Sequence, residues 1–266
     1  MDDFITNMLF EPSLLDGIKP EGEVAPHYDK YPLVVLFLHN ERGGDVFDLV
    51  CRGSYGILTN SHSDVDGESA LNFDGANMIS LGDHAPALKS PPFTVITIGE
   101  YNNAGSTQAL FSYSQSGGGN TGWSLKSEQY PGTGAIGFTK HGVADIASSI
   151  STPTSGLHAI SCIAHSDNDV TVMLDQEHEL LGNTAAFNTT GVNNIALGGT
   201  RSNGDRFSGK FTLNALIADD IGVDEVKKIH ENPMSLIKSS FIFNPYYQAA
   251  AGGGNGLLLL NQANSL

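Results

Sequence analysis

The sequence predicts an all-β protein: one large antiparallel two-sheet sandwich with a single short helix near its carboxyl end and an extended tail at each terminus. Three observations carry this. The 266-residue chain holds 31 glycines and only 16% charged residues, a composition that favours many short strands joined by tight turns over a helical bundle. Turn-forming stretches such as Asp74-Gly75, Asn193-Asn194 and Asn203-Gly204 punctuate short apolar segments, as chain reversals that need positive φ or Asx geometry do. Several of those segments alternate: Val170, Val172 and Leu174 oppose Thr171 and Met173, which turns one strand face inward and the other outward or toward a second layer.

Taken in order, residues 1–30 carry Pro12, Pro20 and Pro26 with Gly17 and Gly22 between them and no sustained period, which reads as an extended arm. The domain, residues 31–238, opens on the β-branched and aromatic run from Leu33 to Leu38, a buried strand. Further strands are expected over 93–98, 108–114, 123–127, 135–139, 157–164, 170–174, 195–197 and 207–218. Gly117-Gly118-Gly119-Asn120 is followed by neither the helix nor the lysine of a phosphate loop, so it is read as a hairpin connection. One helix of about two turns follows Gly222: Val223, Val226 and Ile229 recur on one face, Asp224 and Glu225 occupy the first turn where the helix dipole favours acids, and Pro233 stops it. Residues 239–266 form a tail that is aromatic (Phe241, Phe243, Tyr246, Tyr247), then Gly-rich, then Leu-rich from Leu257 to Leu260. An exposed cluster of this kind calls for a partner to cover it.

Charge narrows the partners. Thirteen basic against twenty-nine acidic residues leave a net charge of −16, a field that repels phosphate backbones and anionic lipid. No apolar run approaches the length of a spanning helix, and the start Met1-Asp2-Asp3-Phe4 lacks the basic and apolar regions of a secretory signal. The only cysteines, Cys51 and Cys162, are read as buried reduced thiols.

Candidate chemistry is sparse. Asp64-Val65-Asp66-Gly67-Glu68 reads as an acidic loop that calcium would suit, although the rest of an EF-hand pattern is absent and a solvated turn is the plainer reading. No metal ligands are assigned and no cofactor is expected. The nine histidines show no local ligand spacing such as H-E-x-x-H, and no serine sits in a G-x-S-x-G elbow. A sugar site would need an aromatic platform with amides near it. Tyr101, Tyr113, Trp123 and Tyr130, with Asn102, Asn103 and Asn120 close by in sequence, are the candidates for carbohydrate contact, core packing being the competing reading for Trp123.

Several segments in shared order resemble the laminin-G-like, concanavalin A-type lectin and glucanase superfamily. Ser69-Ala70-Leu71-Asn72-Phe73-Asp74-Gly75 through Ile79-Ser80-Leu81-Gly82 is similar to that family's entry hairpin. Ser90-Pro91-Pro92-Phe93-Thr94-Val95, Gly122-Trp123-Ser124-Leu125, Gly156-Leu157-His158-Ala159-Ile160 and Ile195-Ala196-Leu197-Gly198 resemble its later strands. Glu231-Asn232-Pro233-Met234-Ser235-Leu236 resembles a phrase found in such domains of bacteriophage structural proteins. The resemblance covers roughly residues 31 to 238. It implies a concanavalin A-like jelly roll. The acidic "E-x-D-x-x-E" strand of the family's glycosidases is missing, so the expectation is a non-enzymatic virion component, a tail or fibre protein or a capsid decoration. Such a subunit would assemble in the host cytoplasm, hold other virion proteins and copies of itself, and possess some affinity for surface glycans. Its assembly contacts would come from the tails, through Phe4, Phe10, Phe241, Phe243, Tyr246, Tyr247, Leu257 and Leu258. A free-standing lectin module is the alternative, and an endoglycanase of the same fold is a third reading, which two carboxylates facing each other across a groove would revive.

Overall fold

The computed structural model describes the backbone of residues 33–37, 45–48, 53–57 and 62–65. It also describes residues 68–236 apart from 77, 84–85, 103–104, 116–119, 131–133, 183–184 and 201–204. Both tails lie outside the described residues, as do Cys51 and the 117–119 glycines.

Sixteen strands are described, in chain order β1 Leu33–Phe37, β2 Asp45–Asp48, β3 Gly53–Ile57, β4 His62–Val65, β5 Glu68–Asp74, β6 Ile79–Gly82, β7 Phe93–Tyr101 and β8 Gln108–Ser114. They continue with β9 Gly122–Glu128, β10 Ala135–Lys140, β11 Ala144–Ser151, β12 His158–Ala164, β13 Asp169–Leu174, β14 Glu177–Gly182, β15 Asn194–Leu197 and β16 Ser208–Ile217, and helix α1 spans Val223–Glu231. One eight-stranded sheet runs β14-β13-β12-β7-β16-β5-β4, with β1 also paired to β16, and a six-stranded sheet runs β11-β10-β9-β8-β15-β6. A small β2-β3 pair stands beside them. The pairings in both large sheets are antiparallel.

Period-two alternation sorts every strand of the six-stranded sheet. Phe111 pairs Leu125, which pairs Phe138, and these side chains with Trp123, Ile136, Ile195 and Leu197 are fully buried in the main core. That core is shared with Phe93, Val95, Ile160, Val172, Phe207, Phe211 and Leu216 of the other sheet and its flanks. Each large side chain taken from water contributes on the order of 1.5–3 kcal/mol.

The far face of the eight-stranded sheet is apolar as well, because α1 covers it. Val226 and Ile229 are the buried residues of the helix. Ile229 packs with Ile96, Ile98, Leu213, Ala215 and Ile217, and Val226 with Ile163 and Met173. Met173 thus faces the second layer that its alternation left open. Polar pins fix the helix side. His230 Nδ1 donates to the Asp175 carbonyl at 2.6 Å, and its Nε2 meets the buried Ser161 hydroxyl at 2.6 Å. His165 bridges Asp220 and Thr171 at 2.6 and 2.8 Å. These histidines tie loops and helix to the sheet; among the described residues no group of three His, Cys, Asp or Glu side chains is placed to hold a metal.

One local reading is corrected. Asp64, Val65 and Glu68 lie in paired strands rather than in a loop: Asp64 pairs Ser69 and Val65 pairs Glu68. No helix among the described residues is long and apolar enough to cross a membrane. Cys162 is a free, fully buried thiol, and burial pushes its pKa up.

Candidate functional site

The outward face of the six-stranded sheet breaks the apolar pattern. The same register that sends Phe111, Leu125 and Phe138 inward sends Ser112, Ser124 and Thr139 outward as cross-strand partners. Thr139 continues to Asp145 on β11, and Ser112 to Ala196 and Ser80 on β15 and β6. A row of small and polar side chains therefore crosses all six strands.

A cavity of about 570 Å³ sits on this face where β9, β10 and β11 meet, lined by residues that include Lys126, Gln129, Tyr130, Thr139, His141 and Asp205. Its size falls in the range of small-molecule sites. Local backbone makes room for it. Gly137 lies under the Gln129 side chain, where a Cβ would stand 2.7 Å from Gln129 Cβ, so Gln129 lies flat along the sheet and its amide donates to the Thr139 hydroxyl at 3.0 Å. Thr139 in turn donates to Asp145 Oδ1 at 2.7 Å. Gly122 opens β9 at φ +99°, with any Cβ only 1.9 Å from the Tyr113 carbonyl oxygen; its own carbonyl accepts the His141 N–H at 2.9 Å, which seats the turn that carries His141.

Electrostatics inside the cavity are balanced. The nearly buried Lys126 ammonium lies 3.0 Å from Asp205 Oδ2. Lys140 contributes to the lining, yet its ammonium points to the other side of the sheet, donating to the carbonyls of Ala185 at 2.9 Å and of Asp167 and lying 4.9 Å from the Phe187 ring centroid. Burial lowers its pKa, with Asp167 and Asp169 opposing. His141 is 1% exposed. Burial, helped by the Lys126 charge and opposed by Asp205 and Asp145, pulls its pKa down to about 4, so the ring is neutral near pH 7. Its Nε2 is buried with no hydrogen-bond partner among the described residues, and a buried polar atom in that state costs ~1–3 kcal/mol until something satisfies it.

Of the four aromatic side chains singled out for sugar contact, the structure brings only Tyr130 to the cavity. It is 42% exposed, and its hydroxyl donates to the Asp145 carbonyl at 3.0 Å, which fixes the ring at the rim. The other three are core residues. Trp123 stacks on Phe93 at 4.6 Å and on Phe138 at 5.9 Å, and its indole N–H donates to the Leu88 carbonyl at 2.7 Å. Tyr101 is fully buried and donates to the Thr97 carbonyl at 2.9 Å. Tyr113 is fully buried with its hydroxyl on Asp83. Burial raises the pKa of both phenols, Asp83 adding to the effect at Tyr113. The alternation carries the signal that separates the classes: Tyr113 shares parity with Phe111, and Trp123 with Leu125, so both point into the core. Asn102 and Asn120 are exposed, and Asn120 lines the cavity. Lys126, Gln129, Thr139, His141, Asp145 and Asp205 were not singled out from the sequence. The eight tail residues expected to make assembly contacts lie outside the described residues.

No family model matches the sequence, and no curated protein matches it. Solved structures share its fold. Trypanosoma rangeli sialidase in complex with 2,3-difluorosialic acid superposes with a TM-score of 0.59 at 14% identity, over 82% of this chain and 35% of that chain. A mutant of the same sialidase displaying trans-sialidase activity superposes with a TM-score of 0.59 at 15% identity, over 88% and 38%. Domain 4 of AbnA, a GH43 extracellular arabinanase from Geobacillus stearothermophilus, in complex with arabinotriose, gives a TM-score of 0.58 at 14% identity over 75% of this chain and 98% of the domain. The chain thus spans little more than a third of the sialidases' length, and matches nearly the whole of the arabinanase domain. At such identities the likeness shows the fold, an antiparallel sandwich. Neither a laminin-G nor a bacteriophage protein is among these three. The expectation that the protein is not an enzyme is overturned: the structures sharing its fold belong to sialidases and an arabinanase, so the sandwich gives no ground for setting catalysis aside.

Proposed function

We propose that the protein is a carbohydrate-recognising sandwich of the kind carried by glycan-processing proteins, a concanavalin A-like jelly roll that holds a glycan in the cavity on its six-stranded sheet. The observation that carries this reading is the lining itself. Sugars present hydroxyls that both donate and accept, and C–H faces that stack on aromatic rings; the cavity is lined by the carboxylates of Asp145 and Asp205, the Gln129 amide, the Thr139 hydroxyl and the exposed Tyr130 ring. The stacked antiparallel sheets and the superpositions on a sialidase and on an arabinanase domain support the same class of ligand. The virion reading rests on the phrase from Glu231 to Leu236 and on tail residues outside the described part of the chain, and nothing in the likenesses favours it.

Glycan binding to the full-length protein, measured by calorimetry on ligands retained from a microarray, tests the reading. Tyr130→Ala is expected to weaken binding about 2- to 10-fold, the worth of an aromatic contact of ~0.5–1.5 kcal/mol, while leaving the melting temperature nearly unchanged because the ring is half outside. Unaltered affinity in Tyr130→Ala would place the sugar elsewhere.

A further inference from the structure

A second cavity, of about 430 Å³, is lined by Asp74, Gly75, Ser106, Arg206 and Ser208 together with Thr107 and Asp205. Thr107 and Asp205 line the first cavity too, so the two are lobes of one groove that crosses Asp205. Resting on the carbohydrate reading above, we infer that this groove takes an uncharged oligosaccharide across at least two subsites, with the Lys126–Asp205 pair standing at their junction.

The length of the ligand follows from continuity. Each lobe by itself is the size of a small-molecule site, and a single ring seated against Tyr130 leaves the lobe beyond Asp205 empty. Its charge follows from the ionic groups among the described lining residues. The cations are Lys126, Lys140 and Arg206, and the carboxylates are Asp74, Asp145 and Asp205. Lys126 is neutralised by Asp205 at 3.0 Å. The Lys140 ammonium is spent on the Ala185 and Asp167 carbonyls. Arg206 Nη1 donates to the Thr200 carbonyl at 3.0 Å, and Gly199, where a Cβ would lie 2.7 Å from that nitrogen, is what lets the guanidinium lie against the backbone. Asp145 accepts from Thr139 at 2.7 Å, and Asp74 from the Ala76 N–H at 2.9 Å. Among the described lining residues three cations are matched by three carboxylates, so the groove carries no net formal charge with which to attract a ligand carboxylate or sulfate. The protein's net charge of −16 opposes an anionic ligand further. The likenesses in solved structures span both an anionic sugar, 2,3-difluorosialic acid, and a neutral one, arabinotriose; the groove's chemistry selects the neutral class.

The test presents the full-length protein with an array of graded mono-, di- and trisaccharides, neutral and acidic, that includes arabinotriose, lactose and 3′-sialyllactose, followed by calorimetry on the glycans retained. The expected result is retention of neutral glycans, with the trisaccharide at least tenfold tighter than its monosaccharide and any sialylated or uronic-acid member weaker than its neutral counterpart. Ser208→Trp, which fills the second lobe, is expected to bring the trisaccharide down to the affinity of the monosaccharide. Acidic glycans held more tightly than neutral ones, or a monosaccharide bound as tightly as the trisaccharide, would overturn the inference and leave the carbohydrate reading standing. Retention of no glycan at all would overturn both.

Discussion

Trp123→Ala lowers the unfolding free energy by about 3–5 kcal/mol, the cost of removing a fully enclosed indole and leaving its cavity, and the orphaned Leu88 carbonyl adds to it. Trp123 is the hinge between the two sheets: it stands on β9 of the six-stranded sheet and stacks on Phe93, which opens β7 of the other. Phe138 and Tyr113 close the remaining sides, at 5.9 and 6.5 Å. Against a total stability of ~5–15 kcal/mol for a domain, the loss is a fifth or more. Because Trp123 is the only tryptophan, its fluorescence reports wild-type unfolding, and circular dichroism must follow the variant in urea. A midpoint drop with an unchanged m-value is the expected pattern. A loss below ~1.5 kcal/mol, the range of well-tolerated swaps, would mean that the indole does not fill the core as described.

Acid is expected to destabilise the protein between pH 6.5 and 4, and His141 to account for a large part of that. The folded imidazole has a pKa of about 4, below the ~6.5 of an unfolded histidine. Between those values the unfolded chain binds a proton that the folded chain refuses, so stability is full above pH 6.5 and falls as pH drops through the window. At pH 4.5 the loss from this group is about 2–3 kcal/mol relative to pH 7. His230, whose pKa burial also lowers, acts in the same direction. Urea midpoints at pH 7 and 4.5 for wild type and His141→Asn check this: the variant should show the shallower slope. Equal slopes would place the His141 ring in water rather than against Lys126 and the cavity floor.

Much of the fold was legible because burial on one or both faces imposes a pattern. The strand expected over 108–114 is β8 to the residue, and those expected over 93–98, 123–127, 135–139 and 170–174 differ from β7, β9, β10 and β13 only at their ends. All of these lie inside a sheet. The strands missed after residue 90 are β11 and β14, Ala144–Ser151 and Glu177–Gly182, the last strand on one side of each sheet. An edge strand pairs on one side and faces water on the other, so it tolerates Ser, Ala, Glu and His where a central strand needs branched or aromatic side chains; Leu180 is 59% exposed there. Ser149 and Glu179, bonded at 2.6 Å, join these two edges, a contact between residues that no local pattern connects.

The site was legible only at Tyr130 and Asn120. Its other members are ordinary polar residues made into a site by register: Thr139 meets Asp145 across a strand pair, Gln129 reaches Thr139 over a glycine, and Asp205 comes to Lys126 from a distant connection. Aromatic content misdirects in such a case, since a buried and a surface tyrosine read alike until their parity is compared with that of apolar neighbours. The polar parity of Ser112, Ser124 and Thr139, opposite the apolar one of Phe111, Leu125 and Phe138, marks a face that neither joins the core nor carries the charges of an ordinary solvated surface.

Backbone amide shifts during titration with the tightest neutral oligosaccharide test the central claim most directly, because they report where the ligand sits. The account predicts that the largest changes fall on Lys126, Gln129, Tyr130, Thr139, His141 and Asp205, the residues of one cavity drawn from β9, β10 and the connections around them. Changes confined to the helix-covered sheet or to the tails, with these six unmoved at saturation, would contradict it.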